Sequence, residues 1–560
     1  MKNLKYYAIL MVSIFFINNG FSQTKQTVNK SVPTFIKSNG VVAKKGLMTE
    51  EEVRNWPHMD IIKDSVPGMS IQKAYDFLVD KKGEKVIVAI IDSGIDINHE
   101  DLKDMIWVNT KEIPNNGKDD DKNGYVDDLN GWNFLGSKKG NAYAEQLEMT
   151  RMVKKLAPKY NGKLSNQIDS KDQKEFALYV KLSNEIKDRK VKAYESKMQY
   201  EVYHKSLKET HKKVSNLLKK ENYSLAELDS LGTVHEEMQP DLYNLMRIVD
   251  SEGSVEIAFK YLEEGIAYFT KQYSSPNYDI QFDGRAIVGD NPDDFNDRNY
   301  GNPNVLQVDE EETHGTHVTG IVAAVRNNGV GMNGIANNVK IMAIRAVPDG
   351  DEYDKDIALA IRYAVDNGAK VVNMSFGKTY SPQKEWVYEA IKYAAAKDVL
   401  LVHAAGNDSK NIDKEDNYPN DSDDKINEFA DNVITIGAMT RQFNENLVAE
   451  FSNYGKKNVD LFAPGLEIYS TFPNNKYESI QGTSMASPEV AGVAALVRSY
   501  YPKLSAKEVK QILMNSGIEV PFEVILPGSR TEKVPFKSLS VSGRVLNAYN
   551  AVLMAQQQSK

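Results

Sequence analysis

Three short segments hold the residue types from which an activated oxygen nucleophile can be assembled. Asp92-Ser93-Gly94 places a carboxylate directly after a β-branched apolar run at 85–91, KVIVAII. His314-Gly315-Thr316-His317-Val318-Thr319-Gly320 places a histidine at the mouth of a small, apolar helical stretch. Gly482-Thr483-Ser484-Met485-Ala486-Ser487-Pro488 places a serine where a helix begins, Pro488 being tolerated in a first helical turn. A serine hydroxyl is a weak nucleophile until a neighbouring imidazole takes its proton, and a buried carboxylate fixes the imidazole tautomer and stabilises the cation that forms. The unpaired N–H groups at a helix start favour the negative charge that develops when such a serine attacks a carbonyl. Each segment alone has a plainer reading: a turn after a strand, two zinc ligands at His314 and His317, an N-cap serine. Zinc proteases use HExxH spacing with an intervening glutamate base, which is absent here.

Order along the chain narrows the chemistry. The eight histidines stand at 58, 99, 204, 211, 235, 314, 317 and 403, so none follows Ser484. An α/β-hydrolase places its histidine last and uses GxSxG, and a chymotrypsin-like order needs His before Asp. The remaining order is Asp, His, Ser, with Asp92, His314 and Ser484 as the expected catalytic set.

A second constellation is Asp119-Asp120-Asp121-Lys122-Asn123-Gly124-Tyr125-Val126-Asp127-Asp128. Five carboxylates in ten residues repel one another unless a cation intervenes. With Asp119 at position 1 of an EF-hand-like loop, Asp121 falls at 3, Asn123 at 5, the Tyr125 carbonyl at 7 and Asp127 at 9. Position 12 is Asn130 where a bidentate Glu is usual, and Asp128 is the candidate substitute. The expected ligand is calcium, on Asp119, Asp121, Asn123, Tyr125, Asp127 and Asp128; the plainer alternative is a solvated acidic turn.

The elements that must position these groups are also legible. Besides 85–91, apolar runs at 339–347, 369–374, 399–403 and 432–437 read as buried strands, with helical stretches at 356–367 and 384–397 between them. That alternation predicts an α/β domain on a parallel sheet, with Asp92 at the carboxyl end of a strand, where open α/β sheets place their sites. Residues 142–278 differ: they are rich in Lys, Glu, Leu and Tyr, with no strand-like run, and read as helical. Ser224 and Glu227 form a candidate capping box there. Val191, Tyr194, Met198 and Val202 fall on one helix face, a stripe expected to pack on the segment itself or on the main domain. As an insertion at a surface loop, the segment should have its two ends close together.

Taken together the motifs resemble those of the subtilisin-like serine proteases, the subtilases: DSG at 92–94, HGTHVTG at 314–320 and GTSMASP at 482–488. The resemblance runs over roughly residues 60–135 and 280–550 and includes Ser375-Phe376-Gly377, Ala404-Ala405-Gly406-Asn407 and Phe462-Ala463-Pro464-Gly465. It implies a doubly wound α/β fold on a mostly parallel, seven-stranded sheet. It further implies Ser484 as nucleophile, His314 as general base and then acid, Asp92 as the group orienting the imidazole, and Asn407 as oxyanion donor. Ser375, Phe376, Gly377, Ala405 and Gly406 would bind substrate. Two departures stand out: 222 positions separate Asp92 from His314, and Lys378 stands where many members carry glycine.

A net charge of -9 argues against a nucleic-acid partner, which needs a clustered basic surface. Lys2 and Lys5, an apolar run at 6–17 and the small residues Gly20 and Ser22 form a signal-peptide profile cleaved after Ser22, so export and no stable membrane insertion are expected. With no cysteine, an exported chain must find rigidity elsewhere, and bound metal is one source. The expected organisation is a signal peptide at 1–22, an N-terminal segment at 23–66 with the place of a short pro-region, a discontinuous catalytic domain at 67–141 and 279–555, and a helical insertion at 142–278. The expected function is a secreted serine endopeptidase acting on proteins or peptides. The alternatives are a catalytically silent subtilase-like binding protein and a calcium-dependent adhesion or surface protein.

Overall fold

The apolar run after residue 85 forms β1 (Val86–Asp92), and its side chains alternate between two cores: Val88 and Ile90 enter one, Ala89 and Ile91 the other. A strand buried on both faces is what a continuous β-branched run produces between two helical layers. The other strands of the central sheet and of the hairpin beside it are β2 (Gly131–Asn133), β3 (Val339–Arg345), β4 (Val371–Met374), β5 (Leu400–Ala404), β6 (Val433–Met439), β7 (Leu461–Pro464), the hairpin of β8 (Ile468–Phe472) and β9 (Lys476–Ile480), and the two-residue β10 (Ile518–Glu519) and β11 (Arg544–Val545). These assignments come from a computed structural model that describes residues 33–38, 40–252 and 254–559. The leader expected at residues 1–22 lies outside the described residues. Residues from Phe35 onward form one compact unit.

The central sheet has the order β10-β11-β7-β6-β5-β4-β1-β3-β2. The seven strands from β7 to β2 are parallel, as the resemblance implied, and the sheet reaches nine because β11 joins β7 through one residue pair and β10 pairs antiparallel with β11. The chain leaves β1 for β2 and β3 on one side and then crosses to β4 on the other, so the direction of winding reverses beside β1. That reversal opens a crevice at the carboxyl ends of β1 and β4.

Among the described residues the α-helices of eight residues or more are α1 (Ile71–Leu78), α2 (Glu148–Tyr160), α3 (Gln173–Leu218), α4 (Leu225–Val234), α5 (Gln239–Glu252), α6 (Val255–Ser274), α7 (His314–Ala323), α8 (Asp354–Asp366), α9 (Lys384–Ala396), α10 (Thr483–Tyr500), α11 (Ala506–Ser516) and α12 (Ala548–Gln558). Helices α7 and α10 pack together under one face of the sheet, while α8 and α9 cover the other. The small residues of α7 and α10 are buried along the length of both helices, which lets them approach the sheet closely. The described part of the N-terminal segment is woven into the same core. Trp56, Ile61 and Val66 are fully buried, and the backbone of Ile36 bonds both ways to the Asn550 amide, at 2.8 and 3.0 Å.

Helices α2 to α6 form an arm. At 46 residues α3 is about 69 Å long at 1.5 Å per residue, and it packs against α2 near its start and along α6. The Ser224–Glu227 capping box forms at the start of α4. The two ends of the arm are hydrogen-bonded to each other: Leu147 N donates to Asn277 O at 3.0 Å, and Asn277 Nδ2 donates to Glu145 O at 2.7 Å.

One expectation fails on this arm. Val191, Tyr194, Met198 and Val202 do lie along α3, but they are 43, 46, 40 and 63% exposed. The apolar packing of the arm is concentrated at its two ends, around Leu182 and Ile186 near the sheet domain and around Leu207 and Val214 at the far end. Between them α6 covers α3 only partly, and the stripe has no full second layer.

Candidate active site

Asp92 ends β1, and its carbonyl accepts the N–H groups of Ala346 and Val347 at 2.9 and 3.2 Å, so the turn that follows β3 pins the strand end. The carboxylate is 1% exposed. Its Oδ1 accepts from the Ser93 amide at 2.8 Å and from His314 Nδ1 at 2.7 Å. His314 is the first residue of α7, and the next position tolerates nothing larger than glycine. A Cβ on Gly315 would stand 2.7 Å from the Ser93 carbonyl oxygen, so the helix start rests on the backbone of the Asp92 turn. Burial alone would lower the imidazole pKa, but the Asp92 charge and hydrogen bond outweigh it and hold His314 above its ordinary value. With Nδ1 held by Asp92, Nε2 is the nitrogen left for chemistry.

Ser484 is the second residue of α10. Its Oγ donates to the Ser375 carbonyl at 3.1 Å, and the Ser375 hydroxyl donates to the Ser484 carbonyl at 2.8 Å. Asp92 and His314 are thus joined directly, while among the described residues Ser484 is bonded to Ser375 rather than to His314.

Asn407 follows β5 and is exposed at the cleft. Its Oδ1 accepts both the N–H and the hydroxyl of Thr483, at 2.8 and 2.9 Å, leaving the Nδ2 amide as its outward donor. The Thr483 hydroxyl in turn accepts from Gly406 N at 3.0 Å, so Gly406 and Asn407 share one network with Thr483 of the serine motif. Gly406 has φ +100°, and a Cβ there would stand 2.5 Å from Asn453 Nδ2, which explains the glycine before Asn407. The Ala405 carbonyl accepts from Asn453 Nδ2 at 2.8 Å.

Ser375, Phe376 and Gly377 leave the end of β4 along the cleft. His403, buried in β5, donates from Nε2 to the Phe376 carbonyl at 2.9 Å, and burial lowers its pKa to about 4, so it is a neutral positioning group. His317 is likewise no metal ligand here. It is fully buried and donates from Nε2 to Ile468 O at 2.9 Å, bracing the β8–β9 hairpin, with its pKa lowered to about 3 by burial first and then by His314.

The acidic loop brings two of the expected carboxylates together with a third that the linear motif does not contain. The carboxylates that come together are Glu112, Asp119 and Asp121, with oxygens within 4.8 Å of one another. The Asp127 carboxylate accepts the N–H groups of Asn116 and Gly117 at 3.1 and 2.9 Å, and its own N–H donates to Glu112 Oε2 at 3.1 Å. Asp128 is fully buried, accepting from Asn109, Asn123 and the Tyr363 hydroxyl at 2.9, 2.9 and 2.6 Å, and burial raises its pKa to about 6. The Tyr125 ring packs edge-on against Trp132, Phe134 and Tyr363. Asn123 bonds through its side chain to Asp121 and Asp128. Glu112 escaped sequence reading because it lies outside the ten-residue acidic run; only folding of the loop brings it in.

Sequence reasoning also missed Thr483, although it sits beside the nucleophile in its motif, and the joint around Lys378. That ammonium is 2% exposed and lies 2.8 Å from Glu148 and 2.9 Å from Asp354, while donating to the Glu352 carbonyl at 2.8 Å. It ties α2, the base of the arm, to the segment that follows Gly377.

The chain is similar to known proteins over part of its length. Over 219 residues the chain is 41% identical to a thermophilic serine proteinase of Bacillus sp. (strain AK1), covering 39% of this chain and 48% of that one, so it spans about half of that relative's length. It is 39% identical to subtilisin DY of Bacillus licheniformis over 36% of this chain and 70% of that one, and 37% identical to thermitase of Thermoactinomyces vulgaris over 37% and 68%. Among solved structures, a cold-adapted subtilisin-like serine proteinase aligns over 43% of this chain and 78% of its own, at 28% identity and a TM-score of 0.34. The model of the subtilase family matches residues 83–538, which include all three motif segments, and the chain belongs to that family.

Proposed function

We propose that this chain is an exported serine endopeptidase that hydrolyses peptide bonds through an acyl-enzyme. The observation that carries the reading is the Asp92–His314 hydrogen bond of 2.7 Å at the crevice where Ser484 begins α10 and Asn407 presents its amide. Ser484 Oγ rotates from the Ser375 carbonyl toward His314 Nε2, which takes its proton as Oγ attacks the substrate carbonyl carbon. The tetrahedral oxyanion accepts from Asn407 Nδ2 and from N–H groups at the start of α10. His314 then gives the proton to the leaving amine as the C–N bond breaks, and water repeats the cycle to release the acid.

Ca²⁺ is the proposed structural ion, held by Glu112, Asp119 and Asp121, whose hard carboxylate oxygens converge as such an ion requires. Export rests on the Lys2-to-Ser22 sequence profile, and no helix among the described residues is long and apolar enough to cross a membrane. The arm is proposed to restrict which substrates reach the cleft, because Lys378 joins its base to the substrate-binding segment. Covalent labelling by a fluorophosphonate tests the central reading. Stoichiometric labelling of the native chain that disappears in Ser484→Ala is expected; an unlabelled, folded native chain would favour the silent binding protein instead.

A further inference from the structure

Beside Asp92 and His314 lies a cleft of about 350 Å³ walled by Ser375–Gly377, by the 347–350 turn, by Glu311 and by Tyr143. Into its mouth reaches Lys271, from the last turn of α6 on the arm. The ammonium is ion-paired with Glu311 and lies 3.6 Å from Asp349 Oδ2, and Glu311 also accepts the Tyr143 hydroxyl at 2.8 Å. All three charged side chains remain partly open to solvent, at 53, 56 and 34% exposure, so the pair can be exchanged for another. The Lys271 and Tyr143 hydrogen bonds keep Glu311 below its usual pKa, so it stays a carboxylate.

A cation held between two carboxylates at the wall of a catalytic cleft occupies the place a basic substrate side chain would take. Other acids nearby do not serve this purpose. Glu352 is buried and raised by that burial to about 8, and Asp354 is engaged by Lys378. Building on the endopeptidase reading, we propose that Glu311 and Asp349 form a subsite for a Lys or Arg side chain of the substrate, and that Lys271 of the arm fills it until such a side chain displaces it. The arm would then set substrate preference by charge as well as by bulk.

The test is kcat/KM for peptides carrying Arg, Gln or Leu at each position around the scissile bond, cleaved by the native chain, Lys271→Met, Lys271→Arg and the triple variant Lys271→Met/Glu311→Gln/Asp349→Asn. Lys271→Met is expected to raise the Arg-to-Gln ratio at one position by roughly 2–5-fold, the scale of a partly exposed ion pair. The triple variant should lose that rise, Lys271→Arg should not show it, and high salt should shrink it. Cleavage with an unchanged ratio at every position in Lys271→Met overturns the subsite alone, as does a rise that persists in the triple variant. A native chain that cleaves no peptide and takes no fluorophosphonate overturns the subsite together with the endopeptidase reading.

Discussion

His314 carries the most information per atom. Its imidazole is held above the ordinary 6.5 because Asp92 outweighs burial. A general base must be neutral, so kcat/KM is expected to rise with pH through a limb lying above 6.5. Asp92→Asn removes the charge and leaves the burial, so the limb should move to lower pH while the plateau falls by roughly 10⁴-fold. The sign for stability is opposite. A raised histidine pKa stabilises the fold below the free value and loses that contribution as pH climbs through the folded value, so Asp92→Asn should cost more stability at about pH 5 than at about pH 9. Denaturant melts of the two proteins at both pH values check this. Asn407 is a cleaner probe because its Oδ1 is fixed by Thr483 whatever the substrate does. Asn407→Leu is expected to lower kcat by about 10²–10³ with little change in KM, the scale of losing one oxyanion donor. A defect mainly in KM would make Asn407 a ground-state contact.

Elements differ in how much each depends on its surroundings, and the arm makes the contrast measurable. Leu182 is fully buried against α2, whereas Met198, four turns further along α3, is 40% exposed. Leu182→Ala is therefore expected to destabilise by about 2–4 kcal/mol and Met198→Gln by no more than about 0.5 kcal/mol, read from urea midpoints. Equal costs would mean that the stripe is covered in solution. In the acidic loop before β2 the testable variable is charge, through the proposed calcium ion. With calcium at about 100 times its Kd, binding contributes about 2.7 kcal/mol, which chelation should remove as a lower Tm. Asp121→Ala should abolish most of that sensitivity, and so should Glu112→Gln, which the linear loop motif alone would not single out. If chelation leaves Tm unchanged in all three proteins, the loop is a solvated acidic turn.

At the scale of the whole molecule, the arm and the sheet domain meet through a few strong joints. The Lys378 ammonium is buried against Glu148 and Asp354, so removing all of 142–278 would strip one partner from a buried charge. A milder cut is available where α3 and α6 cross, since a Cβ on Gly265 would touch the Tyr200 ring. Joining the chain there by a short Gly/Ser turn in place of residues 201–264 keeps Glu148, Leu182 and Lys271. It should preserve cleavage of small peptides while changing the rate on folded proteins, and a folded variant inactive on both would place the far end of the arm in the catalytic machinery. The strands at 85–91, 339–347, 369–374, 399–403 and 432–437, the helical nature of 142–278 and the Asp, His, Ser order were legible from sequence, because each is encoded by local periodicity or by a short motif of fixed chemistry. The short strands β2, β7, β10 and β11 were not, since two to four residues carry too little periodicity and pair only because a sheet edge is already present. Neither were Glu112 beside Asp119, Lys378 beside Glu148 nor Lys271 beside Glu311. Those contacts join residues that are separated along the chain, and folding alone decides which charges meet once the backbone has spent its freedom on the core.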